Sequence, residues 1–276
     1  EHARAHREGD IHIHDLDFYT LTTTCCQIDL LTLFKGGFST GHGVLREPMH
    51  ITSYAALACI AIQSNQNDQH GGQSIVNFDY GLAPGVAKTY VRTYRQMLGR
   101  SLELLLGEPQ AVIDAVNAAL AAENLEPLLD DGNGYLARER ALYLEAGIEE
   151  APFAKAQAFA REKAMQDTDR ETYKAMVALV HNLNTMHSRA GAQTPFSSIN
   201  YGMDTSAEGR MVMKNMLLAT EAGLGHGETP IFPIQIFRVK EGINYNPGEP
   251  NYDLFRLACR CSAKRLFPNF SFIDAP

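Results

Sequence analysis

Several features that would assign a function quickly are missing from this sequence. No run of roughly eighteen apolar residues occurs, so no segment reads as a transmembrane helix. The opening residues are charged and His-rich, unlike a signal peptide. Cysteine is scarce and odd in number, five in 276 residues (Cys25, Cys26, Cys59, Cys259, Cys261), without disulfide-framework spacing. Reduced thiols in a cytoplasm are therefore expected. With no C-x-x-C pair, a structural zinc site has no support. The phosphate-loop pattern G-x-x-x-x-G-K-[ST] is absent, and so are a nucleophile elbow and a Ser-His-Asp order. A formal net charge of −8 argues against a broad nucleic-acid surface, while leaving room for a local basic pocket holding one nucleotide. Internal repeats and low-complexity linkers are also lacking, which favours one domain.

What is present is an ordinary globular balance, 45% hydrophobic and 20% charged, in a chain long enough for a sizeable core. Residues 17–31 (DFYTLTTTCCQIDLL) are rich in Thr, aromatic and apolar types and are expected to form one or two strands of a buried sheet. Adjacent Cys25 and Cys26 should then point to opposite faces and not bridge. A Gly-rich loop follows at 36–43. Residues 51–63 are Ala-rich and apolar, a buried helix with Thr52 or Ser53 as its cap. The polar, Gly-broken stretch 65–79 is expected to be a loop. Pro84 is expected to open a long helix. Residues 103–150 form an acidic, Ala/Leu-rich helical insert with a turn at Asp130-Asp131-Gly132-Asn133-Gly134. Thr168 with Glu171 makes a capping-box pattern for a further helix. Beyond it, strands at 194–201, 231–239 and 269–273 alternate with helices at 208–222 and 252–266. That alternation predicts an α/β fold with at least partly parallel pairing.

Five segments are too polar or too Gly-rich for packing alone to explain, and each has a bland alternative. Extended backbone at 9–15 would place His12 and His14 on one face, a spacing that suits a metal. With no third ligand at a recognisable spacing, hydrogen-bonded structural histidines are the competing reading. Cys25 is either a small core residue or a hydrogen-atom donor in radical chemistry, because its S–H bond is weak. The second reading requires another thiol or a radical source nearby. The 36–43 loop is either a phosphate cradle made of backbone amides or a plain turn. The block 65–74, with amides around His70 and Gly71-Gly72, is either a ligand-orienting network or a solvated loop. Arg189, among the hydroxyls and amides of 187–200, suits phosphate or ribose oxygens. A similar cluster at 223–230 also precedes a strand, and loops at the ends of parallel strands are the usual place for a site.

Taken together, the runs GDIHIHDLDFYTLTTTCCQIDL, GGFSTGHG, SYAALACIAIQSNQNDQHGGQS, HSRAGAQTPFSSINYGMDTS and GLGHGETPIFPIQIF resemble the large subunit of anaerobic (class III) ribonucleoside-triphosphate reductases, a glycyl-radical family. The blocks stand in that family's order from about Gly9 to Pro276. The resemblance implies part of a ten-stranded α/β barrel around a finger loop, in a homodimer, with residues from about 85 to 187 as a mainly helical dimer and effector region. It also implies reduction of ribonucleoside triphosphates to 2′-deoxyribonucleoside triphosphates. In that family a glycyl radical, generated by an S-adenosylmethionine/iron–sulfur activating protein, creates a thiyl radical on the finger-loop cysteine, which abstracts the ribose 3′-hydrogen. A second cysteine, on an early strand beneath the ribose, takes part in removing the 2′-hydroxyl, with formate as the overall reductant.

Cys25 matches that second cysteine, and Cys26, one residue out of register, should face away. A barrel interior would exclude water and competing hydrogen donors. By the same resemblance Ser188, Arg189, Gln193, Ser197 and Asn200 are expected substrate contacts. His14, Glu47 and Lys88 are expected at an allosteric (d)NTP effector site between helices of the two subunits, where the His12/His14 pair would serve better than as metal ligands. The departures matter too. The finger-loop cysteine, the glycyl-radical loop and its zinc-binding cysteines would be expected beyond Pro276, and the N-terminal ATP-cone is absent. Cys259 and Cys261 fall in an expected helix and read as structural. The start at Glu1 and the stop just after a strand suggest a piece of a longer chain, one that alone binds nucleotide at most. Two other readings stand beside this one: a formate-lyase-like glycyl-radical enzyme, which places adjacent cysteines on the finger loop, and a non-enzymatic, dimerising effector-binding fragment.

Overall fold

The computed structural model describes residues 1–13, 24–107, 109–187 and 193–275. In chain order, α1 (His2–Glu8) precedes β1 (Thr24–Gln27), α2 (Leu30–Phe34), the hairpin of β2 (Phe38–Ser39) and β3 (Val44–Leu45), α3 (Ile51–Asp68) and β4 (His70–Ile75). Next come α4 (Phe78–Leu106), α5 (Gln110–Ala122), α6 (Tyr135–Glu145) and α7 (Glu150–Thr185). The chain continues through β5 (Ser197–Tyr201), α8 (Ala207–Ala222), β6 (Ile234–Val239), α9 (Tyr252–Arg265) and β7 (Asn269–Phe272).

The main sheet has five strands in the order β1-β4-β5-β6-β7. Every neighbouring pair is parallel. Parallel strands need long crossovers, and helices make them. The α/β architecture expected from the alternating last third is therefore what forms. Side chains alternate along β5 and β6, buried then half-buried, because successive residues point to opposite faces. Ile75, Ile199, Tyr201, Phe237 and Val239 point to the helices and are almost fully buried. Behind them α4 packs on α7 and α8, and α8 on α9. The core between α4 and α7 holds Tyr90, Tyr94, Leu98 and Leu102 from one helix and Met176, Leu179 and Val180 from the other. Burying an aliphatic or aromatic side chain of this kind stabilises by about 1.5–3 kcal/mol.

One polar tie positions this layer against the sheet. Asp79, buried in the first turn of α4, accepts the backbone N–H groups of Gly202 (2.9 Å), Met203 (2.9 Å) and Asp204 (3.0 Å) just past β5. Burial pushes its carboxyl up, and those amides work in the opposite direction.

Several expectations are corrected. The stretch 65–79 is not a loop: α3 continues to Asp68, β4 follows, and α4 begins at Phe78. Asn65 Nδ2 donates to Gln69 Oε1 (3.0 Å) and to the Gln73 side chain, so a polar segment can be regular. Neither Thr52 nor Ser53 caps α3. Its N-cap is His50, without a side-chain cap bond, and the Ile51 N–H is taken by Thr89 Oγ1 of α4 at 2.9 Å. Pro84 lies inside α4 instead of opening it, the residues before it being held by the Asp79 tie and by buried Phe78 and Leu82. Thr168 sits mid-helix in the 36-residue α7, buried, with its carbonyl accepting from Thr172 Oγ1 (2.8 Å). Of the strand expected at 17–31, residues 17–23 lie outside the described residues; β1 forms, and Asp29 then caps α2 by accepting from Leu31 N (3.1 Å).

Candidate functional site on the open face of the sheet

The face of the sheet opposite the helices is polar. Register alignment puts Gln27, Ser74, Ser198 and Ile234 in one row, with Asn200 beside Ile236 two residues further along. Arg238 brings a positive charge to the same face beyond them. These residues are half-buried or exposed, in contrast to their neighbours in sequence. Among the described residues Asn200 Oδ1 is buried without a hydrogen-bond partner, an acceptor available to a ligand hydroxyl or amine.

Cys25 stands at the start of this face and is exposed, whereas Cys26 is half-buried and packs against the helix-side core. The opposite orientation expected of the pair is met. The route to it is unusual, because Cys25 has φ 60°, in the left-handed region. Thr24 pairs with His70 but Cys26 with Gln73, so Cys25 alone faces Gly71 and Gly72 across a bulge. The Gly72 N–H donates to Cys25 Sγ at 3.4 Å. Phe196, 54% exposed, lies over Gly72 and meets Phe232 edge-on with ring centroids 5.3 Å apart. Cys26 instead lines a cavity of about 650 Å³ with Asp29, Thr32, Ser39, Ser64, Asn65 and Asp68.

Other expected site residues divide sharply. Ser197 is corrected: it is fully buried on the helix face, because it is in register with Gln73, and Ser198 takes its place on the open face. Gln193 is exposed ahead of β5, off the strand. Asn200 is on the open face. Ser188, Arg189 and His14 lie outside the described residues. Glu47 and Lys88 come together with each other. Lys88 Nζ is 2.8 Å from Glu47 Oε1 and 3.2 Å from the Pro48 carbonyl, and Glu47 Oε2 accepts from Gly36 N at 3.0 Å. Burial alone would pull the Lys88 ammonium down, but hydrogen bonds to Glu47 and Tyr54 outweigh it and hold it above its ordinary value. The Lys88 bond holds Glu47 below the ordinary carboxylate range. The two charges thus tie α4 to the segment before α3.

The 36–43 loop is a hairpin turn whose amides are in use. Gly36 N goes to Glu47, Gly37 N to the Phe34 carbonyl (3.0 Å) and Gly41 N to Ser39 Oγ (3.2 Å), which removes those donors from a phosphate cradle. The 223–230 loop closes on itself, with Arg265 donating to the carbonyls of Glu221 (2.8 Å), Ala222 (3.0 Å) and Gly227 (2.7 Å). His12 stacks near His6 at 5.5 Å, and among the described residues no three His, Cys, Asp or Glu side chains gather as a metal site would need. Burial pushes the Cys59 thiol up to about 12 and the Cys261 thiol to about 11, which suits core residues. Cys259, by contrast, is exposed on α9.

Gly72 and Ser74 belong to the block 65–74 marked in the sequence, whereas Gln27, Ser198, Phe196 and Arg238 were not chosen individually as contacts. Period-two alternation, counted outward from buried Ile199, would have found Ser198, and register does the rest. Cys25, Gly72 and Phe196 all lie at the N-terminal ends of their strands, not at the carboxyl ends where sites in open α/β sheets usually form.

Comparison with known proteins settles the family. The model described as "Anaerobic ribonucleoside-triphosphate reductase" matches residues 1–275. The chain belongs to that family. It is 28% identical over 274 residues to the anaerobic ribonucleoside-triphosphate reductase of Salmonella typhimurium, covering 98% of this chain and 31% of the relative. To the enzyme of that name from Enterobacteria phage T4 it is 29% identical over 269 residues, covering 96% and 35%. The chain thus spans about a third of the length of these curated relatives. A crystal structure of the anaerobic ribonucleotide reductase from Thermotoga maritima, with citrate in the active site, aligns over 99% of this chain and 40% of its own at 12% identity and a TM-score of 0.48. Membership in the reductase family sets aside a formate-lyase relative as the explanation of the adjacent cysteines. No helix among the described residues is long and apolar enough to cross a membrane.

Proposed function

We propose that this chain supplies one wall of the site at which a ribonucleoside triphosphate is reduced to the 2′-deoxyribonucleotide, with Cys25 beneath the ribose. The observation that carries this is the split of the adjacent thiols: Cys25 stands exposed on the polar face of the sheet, and Cys26 is turned to the helices. Gln27 and Ser74, two residue steps along the strands, offer neutral hydrogen-bonding groups of the chemistry that suits sugar hydroxyls, with Ser198 one strand further in the same row. In balance, the ribose loses its 2′-hydroxyl as water while formate and a proton become carbon dioxide and the two hydrogens gained. The glycyl radical, installed by an S-adenosylmethionine/iron–sulfur activase, supplies the initiating thiyl radical elsewhere in the full protein. The role of Cys25 in this chain is to give its S–H proton to the departing 2′ oxygen as the C2′–O bond breaks, the thiolate left behind taking up the proton consumed with formate.

Strand geometry limits what else touches the sugar. Asn200 lies four residue steps along the strand direction from Cys25 and two strands away, roughly 13 Å by roughly 10 Å on a flat sheet. It therefore serves another part of the ligand, the base or the phosphates. Ser188, Arg189 and Gln193, on the segment leading into β5, are proposed for the phosphates. An effector nucleotide between the helices of a homodimer, with His14, Glu47 and Lys88 near it, and a cytoplasmic location complete the reading.

The test is an anaerobic assay of a full-length reductase carrying this sequence, with activase, formate and substrate present. Cys25→Ala should abolish deoxyribonucleotide formation by on the order of a thousandfold or more, with nucleotide binding retained. Cys26→Ala should keep most of the activity. The opposite pattern would overturn the assignment.

A further inference from the structure

We propose that the Gly71–Gly72 bulge of β4 is the positioning element for the Cys25 sulfur, seating it on the open face against the Gly72 amide. The proposal deepens the reading of Cys25 as the thiol beneath the ribose and rests on it for its catalytic meaning. Its geometry stands independently.

The bulge is asymmetric. Between the paired positions, β4 carries one residue more (His70 to Gln73) than β1 (Thr24 to Cys26). Cys25 must turn into the left-handed region to span the mismatch, a conformation unfavourable for an L-residue. Such a conformation persists only where the surroundings impose it. Gly71 is the partner that permits it. A Cβ at Gly71 would lie 2.7 Å from Cys25 Sγ and 3.0 Å from Cys25 N, and Gly71 itself has φ +89°. Any side chain there meets both a clash and backbone strain, and the clash is with the sulfur itself.

Gly72 contributes differently. Its N–H points at the sulfur (3.4 Å), and a Cβ would approach Phe196 Cδ1 at 3.2 Å. That contact is with a side chain that can shift, so Gly72 tolerates alanine better than Gly71. Phe196, braced by Phe232, covers the Gly72 side of the bulge. The sulfur thus has a peptide donor directed at it, which limits the directions from which a hydroxyl or water can reach it, and radical chemistry requires such exclusion.

The first measurement is hydrogen exchange at the Gly72 amide. It should be protected in the native chain and lose that protection selectively in Cys25→Ala; an amide indifferent to that substitution removes the N–H···S contact and with it the proposal. The second is site-resolved alkylation by iodoacetamide. Cys25 should label roughly tenfold faster than Cys26 in the native chain, and Gly71→Ala should cut that ratio by about threefold or more. Gly72→Ala should leave it within about twofold. Gly85→Ala is the control for simple destabilisation, since its Cβ would collide with Tyr54 Cδ2 at 2.7 Å far from the thiol, and its labelling ratio should match the native one. A ratio unchanged in Gly71→Ala, or equally lowered in Gly85→Ala, overturns the positioning role. If Gly71→Ala does not fold, the Gly72 exchange result decides alone. Should both measurements agree while full-length Cys25→Ala still turns over, the positioning stands and the placement of Cys25 beneath the ribose falls.

Discussion

The two faces of the sheet are made from alternate residues of the same strands, yet they obey different rules. On the helix face, polar groups are buried and mostly paired: Tyr201 OH donates to Gln235 Oε1 (2.7 Å), and Gln235 Nε2 donates to Thr220 Oγ1 (2.8 Å). Besides Gln73 and Ser197, that face is aromatic and aliphatic, with Phe237 touching Tyr201, Phe255 and Phe270. On the open face, Asn200 keeps an acceptor without a partner among the described residues, and Cys25 holds a strained backbone angle. Ser197 Oγ is unpaired on the helix face too, but the apolar burial that stabilises the sheet is concentrated there, and the strained thiol lies on the other face. Segregation of this kind is expected where a site needs groups that folding alone would not select.

The contrast can be broken most directly at the middle of the sheet. Phe237→Ala should cost about 3–5 kcal/mol in urea unfolding, whereas Ser198→Ala, in the neighbouring strand on the other face, should stay within about 0.5 kcal/mol. Comparable losses from the two would mean that the open face is part of the core. The helical layer gives a second, smaller effect. Glu139 is buried among the hydroxyls of Tyr94 and Tyr135 and the amide of Gln157. Tyr94→Phe, which removes one donor to that carboxyl, should destabilise by about 1–2 kcal/mol.

The pH dependence sharpens the same point. Burial raises Glu139 above the ordinary carboxylate range, and its hydrogen bonds offset only part of that. The folded chain therefore holds this proton more tightly than the unfolded one. Its stabilisation is complete below the unfolded carboxylate value and is lost as pH rises through the folded value. Glu139→Gln should flatten that decline in urea midpoints taken from about pH 4 to pH 8; an unchanged slope would assign it to another group. The smallest effect has the opposite sign. Cys25→Gly should stabilise the chain by up to about 1 kcal/mol, because glycine adopts φ 60° without strain, and should remove reductase activity from the full-length protein. A destabilised Cys25→Gly would show that the sulfur contributes more to the fold than its backbone angle takes away.

Much of the architecture was legible from local pattern. The strands at β5 and β6 and the helix at α8 were expected within a residue or a few of where they form. β4 was not legible, because its HGGQSI has few strand formers; it forms since Gln73 and Ser74 find partners on both neighbouring strands. Pro84 and Thr168 misled for a related reason. Each is a good boundary residue by itself, but the helices run on past them under tertiary packing. On β5, Ser197, expected as a substrate contact, lies on the buried face and its neighbour Ser198 on the open one, because one residue in a strand means the opposite face.

By itself, then, the sequence determined the family, the α/β class and the pairing of two adjacent thiols on opposite faces, since these follow from motif order and from period-two geometry. Only the tertiary structure decided which residues share the face of Cys25 and how its sulfur is held. Both depend on the register between β1 and β4, and on an extra residue in β4 beside Gly71, where a side chain would meet the Cys25 sulfur. Pairing between strands distant in sequence leaves no mark on either strand alone.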